Sequence, residues 1–420
     1  MNILENMYKF AVCFVLLMCF MLSETQGQQY SLDRQLARPF GMFRHFMANL
    51  TAAQNQINSI YRLNKKLGKI QPLVPSSRKF FCDAKNGPGK RSLNPPESVN
   101  EIRPGDIDII AGLGDSLTAA NGAISTGLHS LANENRGLSF TAGGRAEWRK
   151  YLTVPNILRE FNNDLYGYST EDSLSIDRAS KFNVAEPMTL FEDLLFQAKI
   201  LLKRMQRDPK VNMTSHWKMI TIFLGNNDLC SKLCDLSNPE DLIKEHADDI
   251  YETLRFLRDN IPRVLVNFVL MPNLVVLTTF KNVPMQCFMA ERIECRCMYS
   301  SRATPKMLRR YGNIAREMQK IQKEIIYQDE FHTKTFTVSL QPFTQNFTLP
   351  ELPNGDTDLR YFASDCFHFS QLGQAASANA LWNNMMQPEG TKQIDWMPAF
   401  QHFECPTDEN PFIVTRENRK

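Results

Sequence analysis

Apolar residues recur along this chain at two periods, and the change from one to the other marks its elements. Across residues 28–75, Phe43, Phe46, Met47 and Leu50, then Ile57, Ile60, Leu63 and Leu67, stand mostly three or four positions apart, the spacing of one helix face. That predicts a helical N-terminal extension with scattered charges on its outer side. Residues 75–104 hold several Pro, Gly, Ser and Asn and read as loop. Beyond them, short apolar runs at 108–112, 218–224, 263–270 and 333–340 predict strands, and the stretches 192–205, 239–259, 305–327 and 371–385 carry helical periodicity. Strands alternating with helices predict an α/β fold with a parallel sheet covered on both faces. Ligands of such sheets bind outside the carboxyl ends of the strands, so the residues that follow each strand hold the interest.

The first 27 residues read as a signal peptide. Lys9 precedes an uncharged apolar run at 10–22, and Thr25 and Gly27 supply small residues before a cleavage that would leave Gln28 first. The run is shorter than the ~17–25 residues that span a bilayer. A secreted, extracellular protein is therefore expected, with the extension at 28–75, one large domain at 76–405 and a C-terminal tail at 406–420. Outside the leader, which holds Cys13 and Cys19, stand Cys82, Cys230, Cys234, Cys287, Cys295, Cys297, Cys366 and Cys405. An even number in an exported chain predicts up to four disulfides, with the connectivity left open. Zinc is disfavoured, because one residue separates Cys295 from Cys297 and no Cys-x-x-Cys pairs occur. Glycosylation sequons at Asn49, Asn212 and Asn346 fit the same compartment. Of the 420 residues 43% are apolar and 22% charged, with net charge +3 and no like-charge run, which gives no reason to expect a nucleic-acid partner.

Three blocks carry chemistry. Gly114-Asp115-Ser116-Leu117 follows the first predicted strand and puts a serine hydroxyl on a tight strand-to-helix turn. Gly225-Asn226-Asn227-Asp228 follows the second and offers a side-chain amide. Asp365-Cys366-Phe367-His368 places a carboxylate three residues before a histidine, just ahead of a helix. A serine hydroxyl needs a base within hydrogen-bond reach and a carboxylate to orient the imidazole; His368 and Asp365 can supply both to Ser116. The tetrahedral intermediate needs donors already in place, for which the Ser116 amide and the Asn227 side chain are candidates. Each block taken alone also suits an ordinary turn or helix cap; the case rests on the three together. His45, His129, His216, His246, His332 and His402 show no comparable partner in sequence.

GDSL with the later Asn-Asp and Asp-x-x-His blocks resembles the SGNH, or GDSL, hydrolase superfamily. The longer strings GDSLTAANGA, LTVPNILREFNNDLYGYS, NVAEP, WKMITIFLGNNDLC, LQPFTQNFTLPELP and DCFHFSQLGQAASANALWNNM are similar to the animal phospholipase B group, over roughly residues 104–386. The resemblance implies a three-layer α/β/α sandwich around a central parallel sheet. It also implies hydrolysis of acyl esters in phospholipids and lysophospholipids, without a metal or other cofactor. Carried over, Ser116 is the nucleophile, Asp365 and His368 complete the triad, and Ser116, Asn227 and residue 188 form the oxyanion hole. Where the family usually has a glycine after NVAEP, this chain has Met188. Methionine keeps the backbone amide, but a bulky side chain there is expected to narrow or reshape the acyl site. GGRAEW at 143–148 either matches a related family segment or is a loop glycine pair beside a buried aromatic.

The same triad would serve a carbohydrate or small-ester deacetylase, and Met188 is the feature that favours a non-catalytic secreted lipid-binding protein. Phospholipid or lysophospholipid is the implied partner, with peripheral contact at lipid interfaces. Oligomeric state is left open.

Overall fold

Period-two alternation along each strand gives the central sheet two apolar faces. The computed structural model describes residues 54–418 apart from 302 and 349, and side chains at 54–58 and 129 fall outside that description. The leader at 1–27, residues 28–53 of the extension and the Asn49 sequon lie outside the described residues. Four parallel strands, β1 (Ile107–Gly114), β2 (Trp217–Phe223), β3 (Val264–Val269) and β4 (Phe336–Gln341), pair in chain order. One row, Ala111, Ile220, Val266 and Val338, runs in register across all four. Trp217, Met219 and Phe223 belong to the core on one face, Ile220 and Ile222 to the core on the other.

The α-helices of eight or more residues among the described residues are α1 (Gln54–Lys66), α2 (Val154–Phe161), α3 (Leu194–Arg207), α4 (Asp241–Asn260), α5 (Met285–Glu294), α6 (Pro305–Ile326) and α7 (Gln371–Met386). Buried residues of α2 and α7 join the first core; those of α3, most of α4 and the C-terminal end of α6 (Ile325, Ile326) join the second, while Tyr311, Ile314, Ala315 and Met318 of α6 pack in a third cluster with the segment after β2. The three layers expected from the resemblance are present. Strands that are buried along their whole length are what two-sided cover requires.

Between β1 and β2 the chain first turns outward. Tyr166 and Asn183 form parallel bridges with Ile109 and Gly112 on the outer edge of β1. That edge is thereby covered. The chain then returns to lay β2 on the other side, so its direction of travel reverses at the carboxyl end of β1, where open sheets place their ligands.

Three boundaries differ from the sequence reading. The extension is helical only to Lys66: Gly68, at φ +69°, takes the left-handed conformation that terminates helices. Past it, Val74 enters the core and the buried Gln71 side chain accepts from Leu152 N at 2.7 Å and donates to Trp148 O at 3.1 Å. Helix α2 was not predicted, although its signal is present: Thr153 caps Asn156 N at 3.2 Å and Pro155 occupies the first turn. At the C-terminus Ile413 and Val414 are buried, with amides bonded to Ile102 O and Met385 O at 2.8 Å each.

The eight cysteines of the described residues form four disulfides, Cys82–Cys405, Cys230–Cys295, Cys234–Cys297 and Cys287–Cys366. The first closes the domain across 323 residues, and the middle two tie the segment after β2 to the end of α5. No helix of the described residues is long and apolar enough to cross a membrane.

Candidate active site

The serine turn is shaped by what packs beneath it. At Gly114 a Cβ would stand 2.3 Å from the Phe223 carbonyl oxygen, so only glycine lets the end of β1 lie this close to β2. Gln197 of α3 clamps that glycine at both polar groups, accepting from its N–H at 2.9 Å and donating to its C=O at 2.8 Å. Asp115 then caps the helical turn Ser116–Ala119. One of its carboxylate oxygens accepts from Leu117 N at 2.9 Å, and the other from the Asn226 side chain at 2.9 Å. Burial pushes Asp115 up to about 6 against these donors. Ser116 is thus the first residue of a helical turn, whose leading N–H groups have no intrahelical acceptor.

His368 Nε2 lies 2.8 Å from Ser116 Oγ, and His368 Nδ1 lies 2.5 Å from Asp365 Oδ2. The other carboxylate oxygen of Asp365 accepts from the backbone N–H of Phe367 and of His368, at 3.1 Å each. Ser116 and His368 are 7% and 5% exposed and Asp365 is fully buried, so the serine and the imidazole each keep only a small area open to the surface. Burial by itself would lower His368, but the adjacent Asp365 carboxylate outweighs it and holds the imidazole above its ordinary range. Burial works the other way on Asp365, where the His368 charge and the two backbone donors keep the carboxyl below its usual range.

A third carboxylate lies close by. Ligand atoms of Glu294, Asp365 and His368 all fall within 4.8 Å of one another. Burial raises Glu294 above its usual range, with the His368 charge pulling the other way. Sequence gave no hint of Glu294, because 71 positions separate it from Asp365. The link is instead covalent: Cys287 on the same helix is bonded to Cys366, inside the Asp365–His368 loop, whose backbone is left-handed at Cys366 with φ +60°.

The proposed oxyanion donors come from two loops joined to each other. Asn227 is 9% exposed and donates through Nδ2 to Thr189 O at 3.0 Å. Met188 precedes Thr189 at φ +66°, in the region that favours glycine. Its side chain is 67% exposed, so it projects outward rather than filling an interior pocket. The strand-like NVAEP segment is held against β1 by Val184 N and Glu186 N, bonded to Gly112 O and Gly114 O at 3.0 Å each. From below it is held by Arg136, fully buried, which donates to Asn183 O at 3.1 Å and Ala185 O at 2.7 Å and pairs with Glu134. An arginine read from sequence is normally a surface residue, so this buttress was not foreseen.

An apolar pocket lined by Leu117, Phe223, Leu274, Leu277, Phe362 and Phe367 adjoins the site, two of its walls being chain neighbours of Ser116 and His368. The remaining described histidines are engaged in structural contacts. His246 pairs with Gln322 at 2.9 Å and is lowered to about 3 by burial; His332 bonds Thr337 and Ile326 O; His216 accepts from Asn212 N; His402 contacts Glu404. In GGRAEW, Trp148 is fully buried and packs edge-on against Phe80 at 5.2 Å, and a Cβ at Gly144 would strike Tyr168. Those are packing roles. Asn212 and Asn346 are both exposed.

The family model for GDSL-like lipase/acylhydrolase matches residues 110–381, which contain every group of the serine, amide and histidine blocks. The chain belongs to the GDSL-like lipase/acylhydrolase family. Curated relatives of this GDSL chain include the proteins named phospholipase B1, membrane-associated, of mouse, human and rat. They are 36% identical over 81% of this chain, 35% over 83% and 34% over 83%, respectively. The GDSL chain described here spans about a quarter of the length of those relatives, 22–24%.

Proposed function

We propose that this protein is a secreted serine esterase that hydrolyses acyl ester bonds of phospholipids and lysophospholipids through an acyl-enzyme on Ser116. The observation that carries the reading is the continuous line from Ser116 Oγ through His368 to Asp365, at 2.8 and 2.5 Å. In the first step His368 Nε2 takes the hydroxyl proton as Oγ attacks the ester carbonyl carbon. Negative charge develops on the carbonyl oxygen, where the amides of Ser116 and Met188 and the Asn227 side chain are the donors. The ester C–O bond then breaks, and His368 returns the proton to the departing alcohol. A water, deprotonated by the same imidazole, releases the fatty acid and restores the serine. Asp365 keeps the tautomer that leaves Nε2 free to accept a proton.

The lipid assignment draws support from the names of the relatives. Export draws support from the four disulfides, which persist in oxidising compartments, and from the exposed sequons at Asn212 and Asn346.

The test is fluorophosphonate labelling of the purified chain with mass spectrometry of the modified peptide, alongside release of fatty acid from lysophosphatidylcholine. The expected result is label on Ser116 and fatty-acid release, both lost in Ser116→Ala. Preference for acetylated sugars over lysophosphatidylcholine would move the substrate to the deacetylase class, and a folded chain that takes no label would be a binding protein.

A further inference from the structure

Helix α5 is inside out. In an ordinary surface helix the apolar stripe faces the core and the charges face water. Here Met285, Phe288, Met289 and Ile293, spaced three, four and eight residues from the first, are 44–73% exposed. Its buried positions are Cys287, Ala290 and Glu291. The second carboxylate, Glu294, also points inward, to the neighbourhood of Asp365 and His368. Arg292 is the only side chain of α5 that is both charged and exposed, and its guanidinium lies over the Phe288 ring at 4.4 Å.

Burial of an apolar stripe does not hold such a helix in place. Covalent bonds do: Cys287–Cys366 ties its first turn to the triad loop, and Cys230–Cys295 ties the residue just after its end to the segment following β2. The disulfides therefore hold an apolar surface outward against the tendency of that surface to turn in, immediately beside the reacting groups. Folding gains nothing from this arrangement. A water-exposed apolar cluster of this kind marks a contact surface.

We infer that the outer face of α5 is a docking surface for phospholipid membranes, seating the protein on the bilayer next to its active site. The occupant is a lipid surface because the face offers large flexible apolar side chains, no exposed acid and one exposed arginine. Exposed apolar side chains beside a single cation, with the carboxylates turned inward, suit contact with acyl chains below anionic headgroup oxygens rather than with water. The choice of phospholipid rests on the phospholipase reading above. A helix whose inner side brings Glu294 within 4.8 Å of Asp365 and His368 and whose outer side is immersed in lipid holds the serine turn within reach of the acyl esters it cleaves.

The experiment uses the full chain carrying Ser116→Ala, so that vesicles are not consumed, and flotation with phosphatidylcholine vesicles. Met285→Ser/Met289→Ser/Ile293→Ser alters only exposed side chains, and Phe196→Ser, exposed on α3, is the control for generic surface apolarity. The parent and the control are expected to float with the vesicles, and the triple variant to bind at least about tenfold more weakly, since three side chains lose their lipid contact. Equal flotation of parent and triple variant, or no flotation of either, overturns the inference. So does a lipid-free dimer that the triple variant converts to monomer, which would make the face a contact between two copies. Fluorophosphonate labelling of the unmutated serine in lipid-free solution reads the esterase chemistry separately, so failure of docking and failure of the phospholipase reading are distinguishable.

Discussion

Cys287 of α5 is disulfide-bonded to Cys366, the residue that directly follows Asp365 and stands two before His368. A loop of four residues that must present both a carboxylate and an imidazole is thereby pinned from outside, at a position whose backbone is already left-handed. The other constraints on the loop are non-covalent: the two backbone hydrogen bonds to Asp365, the Ala363 N–H donating to His368 O at 2.7 Å and the Cys366 N–H to Ala363 O at 3.3 Å, and the side-chain contacts of His368 with Asp365 and Ser116.

Removing this bond is therefore expected to cost more in rate than in stability. For Cys287→Ala/Cys366→Ala we expect kcat/KM on a soluble ester to fall about 10- to 100-fold, because sub-ångström misplacement of a base is that costly. Cys82→Ala/Cys405→Ala, which opens a closure of 323 residues far from the triad in sequence, is expected to lower stability by about 2–5 kcal/mol and leave kcat/KM nearly unchanged below the unfolding transition. Kinetics paired with calorimetry on both variants check this; equal rates for the two would contradict it.

The pH dependence follows from the proton that His368 must accept. Only the neutral imidazole can act as base, and the Asp365 carboxylate holds His368 above its ordinary value, so the protonated, inactive form persists beyond the usual histidine range. A profile of kcat/KM against pH is expected to rise with pH, falling about tenfold per unit on its acid side, with its inflection above ~6.5. Asp365→Asn should lower kcat by ~10^4 by favouring the wrong tautomer. An inflection below the ordinary histidine value would contradict the assignment.

The two proposed oxyanion donors outside the serine turn differ in kind, and substitution should separate them. Asn227 acts through its side chain, so Asn227→Ala is expected to lose ~100- to 1000-fold in kcat with little change in KM. Residue 188 acts through its amide, which Met188→Gly keeps while relieving a left-handed methionine. We expect that variant to retain kcat within about threefold, because the donor is unchanged. Steady-state kinetics of the two variants with short- and long-acyl esters supply the comparison, and a large loss in Met188→Gly would place the essential contact in the exposed side chain instead.

Much of this architecture was legible in the chain. The four strands and helices α3, α4, α6 and α7 lie within two or three residues of where apolar periodicity puts them, because period two and period three-to-four are imposed by local backbone geometry. The serine, amide and histidine blocks were equally visible, since a tight turn after a buried strand and a cap before a helix are local signals. Where local signals were short or inverted, the reading lost ground. Helix α2 is only eight residues long, so its core-facing stripe of Val154, Ile157, Leu158 and Phe161 spans barely two turns, and α5 presents its apolar side to water.

The sequence by itself thus determined the fold class, the order of strands and helices, and the residue types at the ends of β1 and β2 and before α7. Only the tertiary structure decided the pairing of the cysteines, the approach of Glu294 to Asp365 and His368, the buttress of Arg136 beneath the NVAEP segment, and the outward turn of Met188 and α5. The physical reason is range. Propensity and period act between neighbours a few residues apart, whereas these arrangements join segments separated by 47 to 323 residues and exist only once the sheet has brought the loops at its carboxyl edge together.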